Sequence, residues 1–179
     1  MNELSLNLLD IAQNSVVAGA TLIEITVAIN IAADRMVLSV RDNGRGMDAE
    51  TLARVQDPFF TTRTTRDVGL GIPLFKMSAE MTGGGFRIES TPGSGTFTEA
   101  AYIYSHIDRM PLGDMASTMQ SLIGPNETID FVYRYEKDGG SSCLDTREMR
   151  EVLGDIPLSS PEVLAFIKDT IQSDMQSLN

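Results

Sequence analysis

The chain has a single cysteine, Cys143, among 179 residues, so it can form no internal disulfide. A reducing compartment is expected, with Cys143 as a small inert filler. Basic residues are also scarce, Lys+Arg 14 against Asp+Glu 25, for a net charge of -11. A protein that tracks a nucleic-acid backbone needs a basic face, so nucleic acid is excluded as a partner. No apolar run approaches the roughly 20 residues of a membrane span. MNELSLNLLD lacks a basic leader followed by an unbroken apolar stretch, and the sequence therefore predicts a cytoplasmic protein without a membrane. Internal repeats and low-complexity tracts are missing too. The length suits one ordinary domain or a small domain with an extension, and such a chain buries about two-thirds of its unfolded surface.

The charge is uneven. Residues 1–104 carry 8 basic and 12 acidic groups, while residues 105–179 carry 6 and 13. This step predicts a boundary near residue 104. In the first part Leu4, Leu8, Ile11, Ser15 and Ala18 recur at helical spacing, with Gly19 placed to end the helix. TLIEITVAI and MVLSVRD read as strands, MDAETLARVQ as a short helix, and the Thr/Arg segment between Phe60 and Gly69 as a loop. A helix follows from Ile72 through Phe75, Met77 and Ala79 to Met81, then the strands FRIES and TFTEAAYIY around the TPGSG turn. Beyond residue 104, Leu112, Met115, Met119, Leu122 and Ile123 form a helical stripe. IDFVYRYEKDGGSSCL reads as a hairpin, DTREMREVLG as a helix with a capping box of Asp145 and Glu148, and Pro161 starts a last helix striped by Leu164, Ile167, Ile171 and Met175.

RDNGRGM, residues 41–47, admits two readings. Asp-Asn-Gly is a strong hairpin signal. A hairpin does not need the second glycine, Gly46, and two bare backbone positions around a carboxylate suit a loop that lets a flat ligand approach.

Four pieces stand in order: Asn14 in NSVVAGAT, the D-x-G-x-G of Asp42, Gly44 and Gly46, the Gly69-Leu70-Gly71 start of a helix, and PGSGT with Gly93, Gly95 and Thr96. In this order they resemble the GHKL superfamily (Bergerat fold), the ATPase domain of sensor histidine kinases, gyrase, the mismatch-repair ATPase and a heat-shock chaperone. DPFFTTR followed by VGLGI is similar to the histidine-kinase branch, and NSVVAGAT to the mismatch-repair branch. The resemblance spans residues 4 to about 104. It implies an α+β fold, a two-layer sandwich with helices on one face of a mixed sheet, for residues 1–104, with residues 105–179 as a small appended α+β extension.

The resemblance also implies ATP and Mg²⁺ as ligands. A carboxylate at a strand end can accept the N6-H of adenine, which fits Asp42. Gly44 and Gly46 would let the purine lie flat. Asn14 offers an amide oxygen to Mg²⁺, which prefers oxygen ligands. Gly69, Leu70 and Gly71 open a helix whose free N-H groups can receive phosphate, Arg63 and Arg66 sit just before as a lid, and Thr96 resembles the threonine that the family turns toward the base.

Asp10 stands one helical turn before Asn14, where hydrolysing branches carry a glutamate base, and i, i+4 spacing points both toward the phosphates. It is one methylene shorter than glutamate; its other reading is a surface or outer-sphere carboxylate. DVGLGI places Asp67 where kinases have glycine. YSHIDRMPLGDM is similar to the histidine-kinase phosphoacceptor box, which makes His106 a phosphoacceptor candidate beside the reading of a structural or capping histidine. Ile107 stands where an acid should follow, and the box comes after the ATPase part rather than before it. Two functions follow from the resemblance: a kinase-like enzyme that moves the γ-phosphate to a protein side chain, in cis or on a partner, or an ATP-gated module or slow ATPase that captures a partner protein. A protein partner is implied in both, and a homodimer is allowed. The acidic extension and its Met-rich helix suggest a docking surface or ordinary core packing.

Overall fold

The computed structural model describes residues 3–59 and 70–179. In chain order the elements are α1 (Leu4–Val17), β1 (Leu22–Asn30), β2 (Arg35–Asp42), α2 (Ala49–Val55), α3 (Gly71–Glu80), β3 (Gly85–Thr91) and β4 (Gly95–Ile103). They continue with α4 (Met115–Ile123), β5 (Asp130–Lys137), β6 (Gly140–Asp145), α5 (Thr146–Leu153) and α6 (Pro161–Leu178).

The strands form one mixed six-stranded sheet in the order β3-β4-β2-β1-β5-β6. Its period-two pattern sets the layers. Ile23, Ile25, Val27 and Ile29 of β1 and Met36, Leu38 and Val40 of β2 turn one way and are buried, while Glu24, Thr26 and Arg41 turn the other. The apolar face is covered by helices. Leu4, Leu8, Ile11 and Ala12 of α1 pack there, with α3 and α4 as neighbours and α6 beyond α4. Fully burying one such aliphatic side chain contributes about 1.5–3 kcal/mol, so Leu8→Ala would cost about 3 kcal/mol once its cavity is included. The other face carries ion pairs such as Glu24 with Arg134 and stacks Arg41 on the Phe97 ring at 4.4 Å.

Residues beyond 104 join the same sheet. The register pairs Ile25 with Tyr133 and Val27 with Tyr135, β5 running parallel to β1 after a crossover through α4. Phe131, Tyr133 and Tyr135 share one apolar core with α1, α4 and α6. Met115 and Met119 are fully buried in it, so the Met-rich helix is core and not the exposed docking surface. Leu112 lies before α4, which is capped by the Asp114 carboxylate on the Ser117 N-H at 2.9 Å. The Pro111 and Leu112 carbonyls instead accept the Leu4 and Ser5 N-H groups at 2.9 and 2.8 Å. These satisfy donors that the first turn of α1 leaves open, without a side-chain cap. The Asp145 cap of α5 accepts from the Arg147 N-H. Cys143 is exposed on β6 rather than filling the core. Among the described residues, no helix is long and apolar enough to cross a membrane.

Candidate functional site

The RDNGRGM segment is not a hairpin turn: β2 ends at Asp42 and the chain runs on toward α2. The loop is held on three sides. The Asn43 side-chain oxygen accepts from the Thr21 and Leu22 N-H groups at the start of β1, at 2.8 and 3.0 Å. The Arg45 N-H donates to the Ala18 carbonyl past the end of α1, and the Arg45 carbonyl accepts from the Gly93 N-H at 2.7 Å. Met47 N-H donates to the Ser90 hydroxyl at 2.8 Å.

Those attachments explain the second glycine. Gly46 has φ +67, and a Cβ there would sit 2.0 Å from the Thr91 carbonyl oxygen. Gly95 has φ +120, and its Cβ would sit 2.0 Å from the Asp42 carbonyl oxygen. Side chains at either position are barred by backbone, so the fold itself demands these glycines, whatever ligand approaches.

Asp42 is thereby fixed. Its Oδ2 accepts from the Ser15 hydroxyl at 2.6 Å, and its Oδ1 from the Gly44 N-H at 2.8 Å and the Thr96 N-H at 3.3 Å. A carboxylate bonded from three elements is pre-oriented, and hydrogen bonds to a charged group are the stronger kind. Thr96 also shares a 2.8 Å hydrogen bond between its hydroxyl and that of Ser90.

Asp42, Asn14, Gly46, Gly71 and Thr96 all line one cleft of about 470 Å³ between α1, α2, the start of α3 and β4. A Cβ on Gly71 would lie 3.4 Å from the Asp10 Cβ and 3.8 Å from the Asn14 side-chain nitrogen. The N-terminus of α3 is thus packed against the Asp10 and Asn14 face of α1. Leu70 precedes Gly71 as the N-cap residue, half-exposed. Asp10 is half-buried, and that burial pushes its carboxyl above the ordinary carboxylate range. Arg63, Arg66, Asp67 and Gly69 lie outside the described residues.

His106 is not brought to this cleft. Thr96 pairs with Asp42, whereas Ile103, seven residues further along β4, pairs with Arg35, and that length of strand is roughly 23 Å. His106 therefore follows the far end of β4, in turns rather than on a helix. Its Nδ1 accepts from the Asp108 N-H at 3.1 Å. Neighbouring residues of its box have structural work: Ser105 bonds both oxygens of Asp34, and Arg109 stacks on Tyr104 at 4.6 Å.

Ser15 and Thr98 are among the lining residues that sequence reasoning missed. Ser15 is read there as part of an apolar stripe, yet its buried hydroxyl holds Asp42; a hydroxyl within that stripe, directly after Asn14, was the available signal. Thr98, buried and lining the cleft, lies two residues along β4 from Thr96, on the same face by strand period.

Comparison with known proteins bears on the family and the fold. The family described as histidine kinase-, DNA gyrase B-, and HSP90-like ATPase matches residues 1–103. The sensor protein kinase FleS of Pseudomonas aeruginosa is 42% identical over 88 residues, 49% of this chain and 22% of that protein. Sporulation kinase C of Bacillus subtilis is 30% identical over 95 residues, 53% of this chain and 22% of its own length. The chain spans less than a quarter of the length of such relatives. Among solved structures, the MutL ATPase domain of Aquifex aeolicus, complexed with ADP, superposes with a TM-score of 0.51 at 15% identity, covering 86% of this chain and 69% of that one. The N-terminal domain of a DNA repair protein gives 0.56 at 14% identity, covering 81% and 53%. At that identity the likeness is one of fold, and at 86% coverage it reaches past residue 103. By the match over more than half its length, the chain belongs to the histidine kinase-, DNA gyrase B- and HSP90-like ATPase family.

Proposed function

We propose that this chain binds ATP as a kinase-type signalling domain and transfers the γ-phosphate to a side chain of a protein partner. The observation that carries the reading is Asp42, a carboxylate fixed by three donors at a strand end, in the same cleft as Asn14 and the first turn of α3. In this reading Asp42 accepts the adenine N6-H, which guanine cannot offer, and Thr96 and Thr98 border the base. The first N-H groups of α3 receive phosphate oxygens, favoured by the positive end of the helix dipole.

Asn14 presents an amide oxygen that suits a Mg²⁺ shared with phosphates, because it adds no negative charge beside them. Among the described residues, no group of three or more His, Cys, Asp or Glu side chains gathers to hold a metal. Asn14 is the residue that would hold a Mg²⁺ brought in with the nucleotide. Bound there, Mg²⁺ would neutralise phosphate charge. Asp10, its carboxyl raised by burial, is the proposed base that takes a proton from the attacking water or hydroxyl.

The placement of His106 favours a second reading, an ATP-gated module or slow ATPase that captures a partner protein. The chain's one histidine lies at the far end of β4 and cannot reach the cleft of its own copy. Incubation with γ-labelled ATP separates the two readings. Label appearing on an added partner or a second copy supports transfer; ATP uptake without label on protein supports the module. Label on His106 that survives mixing with an inactive copy in excess would contradict both.

A further inference from the structure

A second hollow, about 740 Å³, lies at the β6 edge of the sheet, between α5, the turn after it, α6 and β6. Its walls are mostly apolar and include three large side chains left in solvent: Val152 at 87%, Ile156 at 55% and Phe166 at 61% of full exposure. The helices explain why. The core stripe of α6 is Val163, Ile167 and Ile171, with Leu164 and Met175 beside them, and Phe166 falls off that stripe. On α5, Met149 and Leu153 lean on the core while Val152 points out. Apolar side chains grouped in a concave patch with nothing over them mark a binding surface.

Charge selects the occupant. Asp145, Glu148 and Glu162 line the groove, and among the described residues no Lys, Arg or His does so. Asp145 is already engaged by Arg147 at 2.8 and 3.0 Å, which leaves the exposed Glu148 and Glu162 as rim acids, with exposed Glu151 and Asp155 nearby in sequence. Arg150 on α5 is turned away onto Asp130 at 2.9 Å. An apolar floor with an acidic rim is complementary to an apolar stripe flanked by cations. The exposed apolar residues come from two helices and the turn joining them rather than from β6, which fits a helix laid into a groove better than an added strand.

We infer that the α5–α6 groove, through Val152, Ile156 and Phe166 with Glu148 and Glu162 at its rim, docks a cationic amphipathic helix of a partner protein. The inference goes beyond the nucleotide reading and does not depend on it. Its test uses the full chain without nucleotide and a fluorescein-labelled Leu/Lys peptide, about five helical turns long, with its leucines on one face. Two controls accompany it: a scrambled peptide of the same composition, and a Leu/Glu peptide with the same leucine spacing. Anisotropy should report a Kd on the order of micromolar for the amphipathic Leu/Lys peptide alone. The exposed double variant Val152→Ser, Phe166→Ser should bind at least about tenfold more weakly with an unchanged circular dichroism spectrum. Glu148→Gln with Glu162→Gln should weaken binding several-fold and flatten its salt dependence. Equal binding of the scrambled or the Leu/Glu peptide, or full binding by the serine variant, overturns the inference. So does a dimer in gel filtration that the serine variant dissolves, since a second copy would then fill the groove.

Discussion

The β3-β4-β2-β1 side of the sheet and its β5-β6 side share one core but solve different problems. On the first side the exceptional features are backbone features: Gly46 and Gly95 approach the Thr91 and Asp42 carbonyls more closely than any Cβ allows, and a loop fastened at three points holds one carboxylate. On the second side no carbonyl crowds the backbone beside the groove: Gly154, in the turn after α5, takes φ +59 with nothing within 4 Å of where a Cβ would sit. The features there are side chains, an acidic rim around apolar groups left outside. A polar site must be built rigidly because each polar atom needs a partner at a set distance, whereas an apolar groove needs only area and shape.

Several measurements would sharpen or break that contrast. Gly95→Ala should have the largest effect, about 3–5 kcal/mol of stability by urea denaturation, because its Cβ would meet the Asp42 carbonyl and φ +120 disfavours alanine. Gly139→Ala, in the β5-β6 turn at φ +89 with nothing within 4 Å, should cost only about 1 kcal/mol. Equal costs would remove the contrast between the two sides. Ser15→Ala should cost about 1–2 kcal/mol, since it takes a buried donor from Asp42.

Asp114→Ala should cost about 1 kcal/mol at neutral pH, by loss of the α4 cap. The Ser117 hydroxyl and N-H hold the Asp114 carboxyl below the ordinary range. Its contribution is therefore complete above the unfolded value near pH 4 and is lost as pH falls through the lower folded one, so the wild type and variant should converge in acid. Asp10 has the opposite sign. Burial raises its folded value, so the folded state loses stability as pH rises from the unfolded value through that raised one. Asp10→Asn should thus melt slightly higher at pH 7, the smallest of these effects, and show no advantage in strong acid. It should also lower any ATP turnover by at least about tenfold.

The same contrast explains what could be read from the sequence. That Asn14, Asp42, Gly46, Gly71 and Thr96 would meet at one cleft was legible from their order, because a bare backbone and a strand-end carboxylate leave marks at fixed positions. The strands and helices were legible from alternation and stripes, with boundaries off where tertiary contacts decide: Leu112 continues the stripe of α4 but serves the N-terminus of α1 through its carbonyl. That the hairpin after residue 128 would lie alongside β1 was not legible, because parallel pairing depends on which neighbour remains after the crossover. Ser15 was hidden by its place in an apolar stripe. The groove was hidden for another reason: Val152 and Phe166 lie off the core stripes of α5 and α6, and only the packing of the two helices brings these off-stripe apolar side chains together.

The central claim is tested most directly by titration calorimetry of ATP with Mg²⁺ into wild type and Asp42→Asn, with GTP as control. Binding of ATP to wild type, no heat with GTP, and an affinity roughly 10- to 100-fold weaker in Asp42→Asn with its fold intact are the results expected. Equal uptake of ATP by the two proteins, or none by the wild type, would contradict the account.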